Sequence, residues 1–176
     1  MNKLNLSHFD HPIKINQKKY FDKRGFFQEI YLEKKFGLKL KFTAIAKSKK
    51  NVIRGLHFQL KNRQTKLIYV VDGTILDVVV NLRKKSKNFG KVYKFILKEG
   101  DILFVPNFYG HGYECLSKKC TVLYHLEKYR DKKNELGIRF DDDKIKKNWH
   151  TKKPILSRRD KLLMNFKEFK KNIKTL

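Results

Sequence analysis

Short apolar runs, broken at close intervals by turn residues, restrict this chain to an antiparallel β architecture. Residues 67–71 and 75–82 flank Asp72-Gly73, and residues 92–97 and 102–105 flank Glu99-Gly100-Asp101. In both, glycine accepts the positive φ of a tight reversal, so each reads as a hairpin. Residues 113–116 and 121–126 make a further pair, and 13–15, 26–31 and 42–46 are shorter extended segments. Glu33 to Gly37 reads as one helical turn stopped by glycine. Beyond Tyr129 the pattern changes: residues 130–148 are charged and irregular, and Pro154 breaks any helix. Leu162, Phe166, Phe169 and Ile173 then recur at helical spacing, which predicts an amphipathic C-terminal helix within 160–176. No repeat or second domain is visible, so residues 1–176 read as one domain, a β-barrel or sandwich with short peripheral helices.

One strand stands out chemically: Arg54-Gly55-Leu56-His57-Phe58-Gln59. Side chains alternate along a strand, so Arg54, Leu56 and Phe58 are expected on one face and Gly55, His57 and Gln59 on the other. A histidine lining a barrel, with an arginine close by in sequence, can act as a base beside an anion site. Taken alone, a histidine on a strand is more often a hydrogen-bonded core or surface residue.

The wider pattern adds to this. RGLHFQ is followed by Gln64-Thr65-Lys66-Leu67, then Asp77-Val78-Val79-Val80-Asn81-Leu82-Arg83, then His111-Gly112-Tyr113. With Phe21-Asp22-Lys23-Arg24-Gly25-Phe26-Phe27 before them and Leu156-Ser157-Arg158-Arg159-Asp160 after, these segments resemble the dTDP-4-dehydrorhamnose 3,5-epimerase (RmlC-like) family, in order and over nearly the whole chain. The resemblance implies a cupin-type antiparallel β-barrel or jelly roll. It also implies an epimerase that inverts C3, C5 or both of a nucleotide-linked 4-keto sugar, for cell-surface polysaccharide synthesis. Two alternatives are a sugar-nucleotide 3,4-ketoisomerase and a non-catalytic basic binding module.

A 4-keto group acidifies the hydrogens at C3 and C5, so inversion needs a base on one face, an acid on the other and positive charge for the enolate. By resemblance the base is His57, paired with Asp160, and the acid is Tyr124. Lys66 lies near the ketone and phosphates, and His111 contacts substrate. Arg24 and Arg54 match phosphate-binding arginines, and Arg159 a basic contact. Gln59 belongs to the same motif, Tyr129 matches the aromatic that stacks on the base, Phe27 lies in the same recognition segment, and Glu29 and Glu135 match substrate contacts. The family is dimeric, with N-terminal strands (within residues 1–50) reaching the neighbour's site, so a homodimer is expected. Phe42 and Ala44 stand where the family carries a glutamine and an asparagine that read thymine. Neither makes those hydrogen bonds, so the nucleotide is expected to be dTDP or another such as GDP. Asn81 replaces the usual aspartate of the DVVVDLR pattern.

Gly100 to Pro106, ending in Gly110-His111, resembles the second cupin motif, which in many cupins serves a metal. Here Gln59 stands two residues after His57 and Gln64 falls near the usual glutamate, and amides are poor transition-metal ligands. Neither a metal nor any other cofactor is expected. The formal charge of +26 permits anionic partners, but the lysines run from Lys3 to Lys174 rather than in one tract, which argues against a nucleic-acid role. No apolar run is long enough to span a membrane, and Met1 to Asn5 opens no signal-peptide apolar segment. Cys115 and Cys120, which could face each other across a turn at 116–119, read as reduced thiols of a cytoplasmic protein.

Overall fold

The structure, a computed structural model, describes residues 4–173. Within them run β1 (Ile13–Ile15), β2 (Lys19–Asp22), β3 (Gly25–Gln28), α1 (Glu33–Phe36), β4 (Phe42–Lys49), β5 (Ile53–Gln59), β6 (Lys66–Asp72) and β7 (Thr74–Asn81). There follow β8 (Val92–Lys98), β9 (Ile102–Val105), β10 (Tyr109–Cys115), β11 (Lys119–Leu126), β12 (Glu135–Gly137), α2 (Arg158–Lys161) and α3 (Phe166–Asn172). One sheet has the order β1-β9-β6-β11-β4 and the other β12-β5-β10-β7-β8, while β2 and β3 form a separate ribbon. The strand pairs are antiparallel. This is the cupin-type jelly roll that the resemblance implies.

Three apolar layers hold it together. Between the sheets, Ile68, Val70, Leu103 and Val122 of the first meet Ile75, Val79 and Tyr113 of the second. Behind the second sheet, Leu56, Leu76, Val78 and Val80 pack on Ile145, Trp149, Phe166 and Phe169. Behind the first, Leu67, Ile102 and Phe104 are covered by Leu6, Phe36 and Leu38. The unbroken run on β7 follows from this layering: its two faces are buried in different cores, so alternation with polar residues is not required. Each large aliphatic side chain so buried contributes roughly 1.5–3 kcal/mol.

The expected hairpins are not formed. β6 and β7 lie in different sheets, as do β8 and β9, and β10 and β11. Gly73 (φ 85°) and Gly100 (φ 84°) do reverse the chain. A turn specifies a reversal, however, and not a partner, and here each reversal carries the chain across the sandwich. β10 instead pairs with β5 and β7, and β11 with β4 and β6. The segment expected over 26–31 ends at Gln28. The C-terminal helical pattern is also divided. A capping box between Asn165 and Glu168 starts α3 afresh, and Leu162, expected on the packed face, is 78% exposed. Phe166 and Phe169 carry the packing, and residues 174–176 lie outside the described part.

Candidate active site

A cavity of about 360 Å³ lies between β4, at the edge of the first sheet, and β5, next to the edge of the second. His57, Lys66, His111, Tyr124 and Asp160 all line it, from four strands and α2. Arg54, Gln59, Glu135 and Arg159 line it too, together with Phe42 and Ala44. The five side chains expected to carry the chemistry therefore line one space.

Arg54 is there against the alternation rule. On β10, His111 stands opposite His57 and Tyr113 opposite Arg54, so two steps on β10 match three on β5. This bulge falls at Gly55-Leu56, with Gly55 at φ 106°. It turns Arg54 onto the cavity side with His57 while Leu56 stays in the core. Arg54 Nε then donates to Ser48 Oγ (3.0 Å) and Nη2 to the Lys47 carbonyl (3.1 Å).

His57 Nε2 is 2.6 Å from Asp160 Oδ1. With Nε2–H donating to the carboxylate, Nδ1 is left as the basic nitrogen. Burial pushes the Asp160 carboxyl up, but hydrogen bonds from His57 and Ser157 and the charges of His57 and Arg159 outweigh it, holding it below the usual value. Ser157 Oγ accepts from the Asp160 backbone N–H (3.0 Å) and so caps α2. The Ser-x-x-Asp spacing of Ser157 and Asp160 is the sequence signal of this helix start.

His111 Nε2 lies 2.8 Å from Asp77 Oδ2, both side chains almost fully buried. The other Asp77 oxygen has no hydrogen-bond partner among the described residues. Tyr124 meets the His111 ring edge-on, with centroids 6.1 Å apart. Burial, with the nearby Tyr113 and Asp77 adding to it, raises the Tyr124 pKa well above the ordinary phenol value. Its hydroxyl is protonated at neutral pH, as a proton donor must be. Lys66 Nζ donates to the His57 carbonyl (3.2 Å). Burial lowers its pKa to about 8, although the charges of Glu135 and Asp77 pull the other way.

Glu135 is clamped between Arg130 (Nε to Oε2, 2.6 Å) and Arg159 (Nη1 to Oε1, 2.9 Å). Arg130 sits in a charged, irregular segment that offers no sequence signal. In all, four cationic side chains and two carboxylates line the cavity, a surplus of two positive charges. Gln59 is present, but its amide is committed to neighbouring backbone: it donates to the Asn62 carbonyl (2.7 Å) and accepts from the Asp131 N–H (2.7 Å). Its task is scaffolding.

Four expected contacts are not brought to the cavity by this chain. Arg24 is exposed on the β2–β3 ribbon and paired with Asp22, Phe27 is 66% exposed there, and Glu29 follows β3. Tyr129 lies in a neighbouring concavity that shares Arg130 with this one. Among the described residues, no three His, Cys, Asp or Glu side chains are grouped to hold a metal ion.

Residues 8–168 match the family described as dTDP-4-dehydrorhamnose 3,5-epimerase. A protein of that name from Shigella flexneri is 36% identical over 152 residues, 81% of this chain and 84% of the relative. The crystal structure of the Bacillus anthracis dTDP-4-dehydrorhamnose 3,5-epimerase, with TDP and PPi bound, aligns with a TM-score of 0.84 at 32% identity, covering 88% of this chain and 93% of that one. A Legionella pneumophila dTDP-6-deoxy-D-glucose-3,5-epimerase, in complex with dTDP-4-keto-L-rhamnose, gives a TM-score of 0.84 at 28% identity, over 92% and 90% of the two chains.

Proposed function

This chain belongs to the dTDP-4-dehydrorhamnose 3,5-epimerase family, and from that premise we propose that it inverts C3, C5 or both of a nucleotide-linked 4-keto sugar by proton transfer alone. The observation that carries the assignment of roles is the convergence of His57, Tyr124 and Asp160 on one cavity.

The sugar ring lies between β5 and β11, with its carbonyl toward Lys66. Nδ1 of His57 removes the proton next to the ketone, and Asp160 stabilises the imidazolium that forms. The Lys66 ammonium meets the developing enolate oxygen, where a desolvated cation acts far more strongly than in water. Tyr124 then delivers a proton to the opposite face, and its raised pKa keeps that proton in place until it is needed. His111, oriented by Asp77, contacts the ring. The surplus of two positive charges matches the two negative charges of a diphosphate diester, and Arg54, Arg130 and Arg159 offer forked donors for it.

The nucleotide is dTDP, as in the names of the relatives. Phe42 and Ala44 bring no hydrogen-bonding side chain to the wall, so selection along β4 rests on packing. The protein works as a homodimer. The β2–β3 ribbon exposes Tyr20, Phe21 and Phe27 around Arg24, an apolar surface suited to a second copy, and light scattering at twice the chain mass tests this. Free Cys115 and Cys120 suit a reducing cytoplasm.

Incubation with dTDP-linked and GDP-linked 4-keto-6-deoxy sugars, followed by NMR of the product, tests the reaction. Inverted stereochemistry with the carbonyl still at C4 supports epimerisation. A carbonyl moved to C3 would mean a ketoisomerase instead.

A further inference from the structure

Tyr113 is among the largest fully buried side chains, and it carries a hydroxyl into the apolar layer between the sheets. A phenylalanine would fill the same space, and a buried hydroxyl is costly unless it is hydrogen-bonded. Its partners lead to the catalytic cavity. The Tyr113 hydroxyl lies 2.9 Å from Ser48 Oγ, which in turn accepts from Arg54 Nε (3.0 Å). On β10, Tyr113 follows His111 by two residues and so shares its face of the strand. Tyr124 packs against the same apolar layer, and its hydroxyl is hydrogen-bonded to that of Tyr113. Four polar groups thus form one chain, Arg54, Ser48, Tyr113 and Tyr124, of which Arg54 and Tyr124 line the cavity.

The chain has a direction. A guanidinium only donates, so Ser48 accepts from Arg54. Ser48 is 5% exposed, and among the described residues the acceptor its own proton reaches is the Tyr113 oxygen. Tyr113 then donates onward to the Tyr124 oxygen, which leaves the Tyr124 proton pointing away from Tyr113. We propose that Tyr113 is a positioning residue of the reaction, the last link of a hydroxyl chain that aims the Tyr124 proton at the sugar ring. The inference rests on the proposed function, from which it takes Tyr124 as the acid. In the step it serves, the Tyr124 O–H bond breaks, the enolate electron pair forms the new C–H bond, and the phenoxide left behind regains a proton from solvent. Without the Tyr113 hydroxyl, the Tyr124 O–H is free to turn, and only part of the population presents its proton to the ring.

Inversion and solvent exchange of a dTDP-linked 4-keto-6-deoxy sugar in D₂O, read separately by NMR, test this in the parent, Tyr113→Phe, Tyr124→Phe and the double variant. Tyr113→Phe removes one oxygen and keeps the ring. It is expected to lower inversion about 3- to 10-fold, with exchange by His57 and KM unchanged. In the Tyr124→Phe background the same change should cost nothing further, because no proton is left to aim. Ser48→Ala cuts the chain one link back with Tyr113 intact, and should likewise lower inversion more than exchange. Unchanged inversion in Tyr113→Phe, an equal loss of exchange and inversion, or the same loss in both backgrounds overturns the proposal and leaves the epimerase reading intact. Neither exchange nor inversion by the parent chain overturns both.

Discussion

His57 Nε2 and Asp160 Oδ1 lie 2.6 Å apart although 103 residues separate them in sequence. The carboxylate fixes the tautomer that leaves Nδ1 basic, and the Ser157 cap fixes the carboxylate. Asp160→Asn keeps the shape but loses the charge that stabilises the imidazolium. We expect kcat to fall by about 10²–10⁴, with an unchanged circular dichroism spectrum. The pH dependence has a definite sign. The Asp160 pKa is depressed in the fold, so its contribution to stability is present above the ordinary carboxylate value of 3.8 and is lost as pH falls through the lower folded value. Acid titration of unfolding should show a smaller loss in Asp160→Asn than in the parent.

The bulge on β5 gives a second test. A Cβ on Gly55 would stand 2.5 Å from the His111 carbonyl oxygen and 2.7 Å from Gly112 Cα, at a backbone φ that disfavours side chains. Gly55→Ala should cost about 2 kcal/mol or more and displace Arg54 and His57 together. Urea denaturation reads the first effect, and a rise in KM with a fall in kcat reads the second.

Lys66 joins activity and stability with opposite signs. Its ammonium is desolvated, with a pKa of about 8, so activity that needs the charge should decline as pH rises through about 8. Between pH 8 and the ordinary value of 10.5, the unfolded chain holds a proton that the fold does not, so the contribution of this group to stability rises with pH across that window. Lys66→Met removes the desolvated charge. It should gain roughly 1–3 kcal/mol at pH 7 and lose epimerase activity, as thermal melts and turnover assays will read.

Tyr124→Phe separates the two half-reactions. The base is intact, so exchange of the abstracted proton with solvent should persist, while inversion falls by about 10²–10³. Parallel loss of exchange and inversion would assign the phenol to proton abstraction instead.

That these side chains would gather at one cavity was largely readable in the chain, because the residues proposed to move protons lie in segments that keep their order along it. His57, Lys66, His111, Tyr124 and Asp160 fall together once the sheets form. What resisted reading was long-range. Asp72-Gly73 shows a reversal but not that β7 leaves the sheet of β6, since pairing is set by three separate cores. Strict alternation placed Arg54 opposite His57, because a single inserted residue is invisible to a period of two. Arg130 lies in a segment without periodicity, and only its ion pair with Glu135 identifies it. Arg24 and Phe27 lie on an exposed ribbon, so one chain alone does not bring them to its own cavity.

The most direct measurement is deuterium uptake from D₂O into a dTDP-linked 4-keto-6-deoxy sugar, followed by NMR at C3 and C5. The parent chain should place deuterium at one or both carbons, and His57→Ala should place it at neither. No uptake by the parent, or undiminished uptake by His57→Ala, would contradict the imidazole's role as the base.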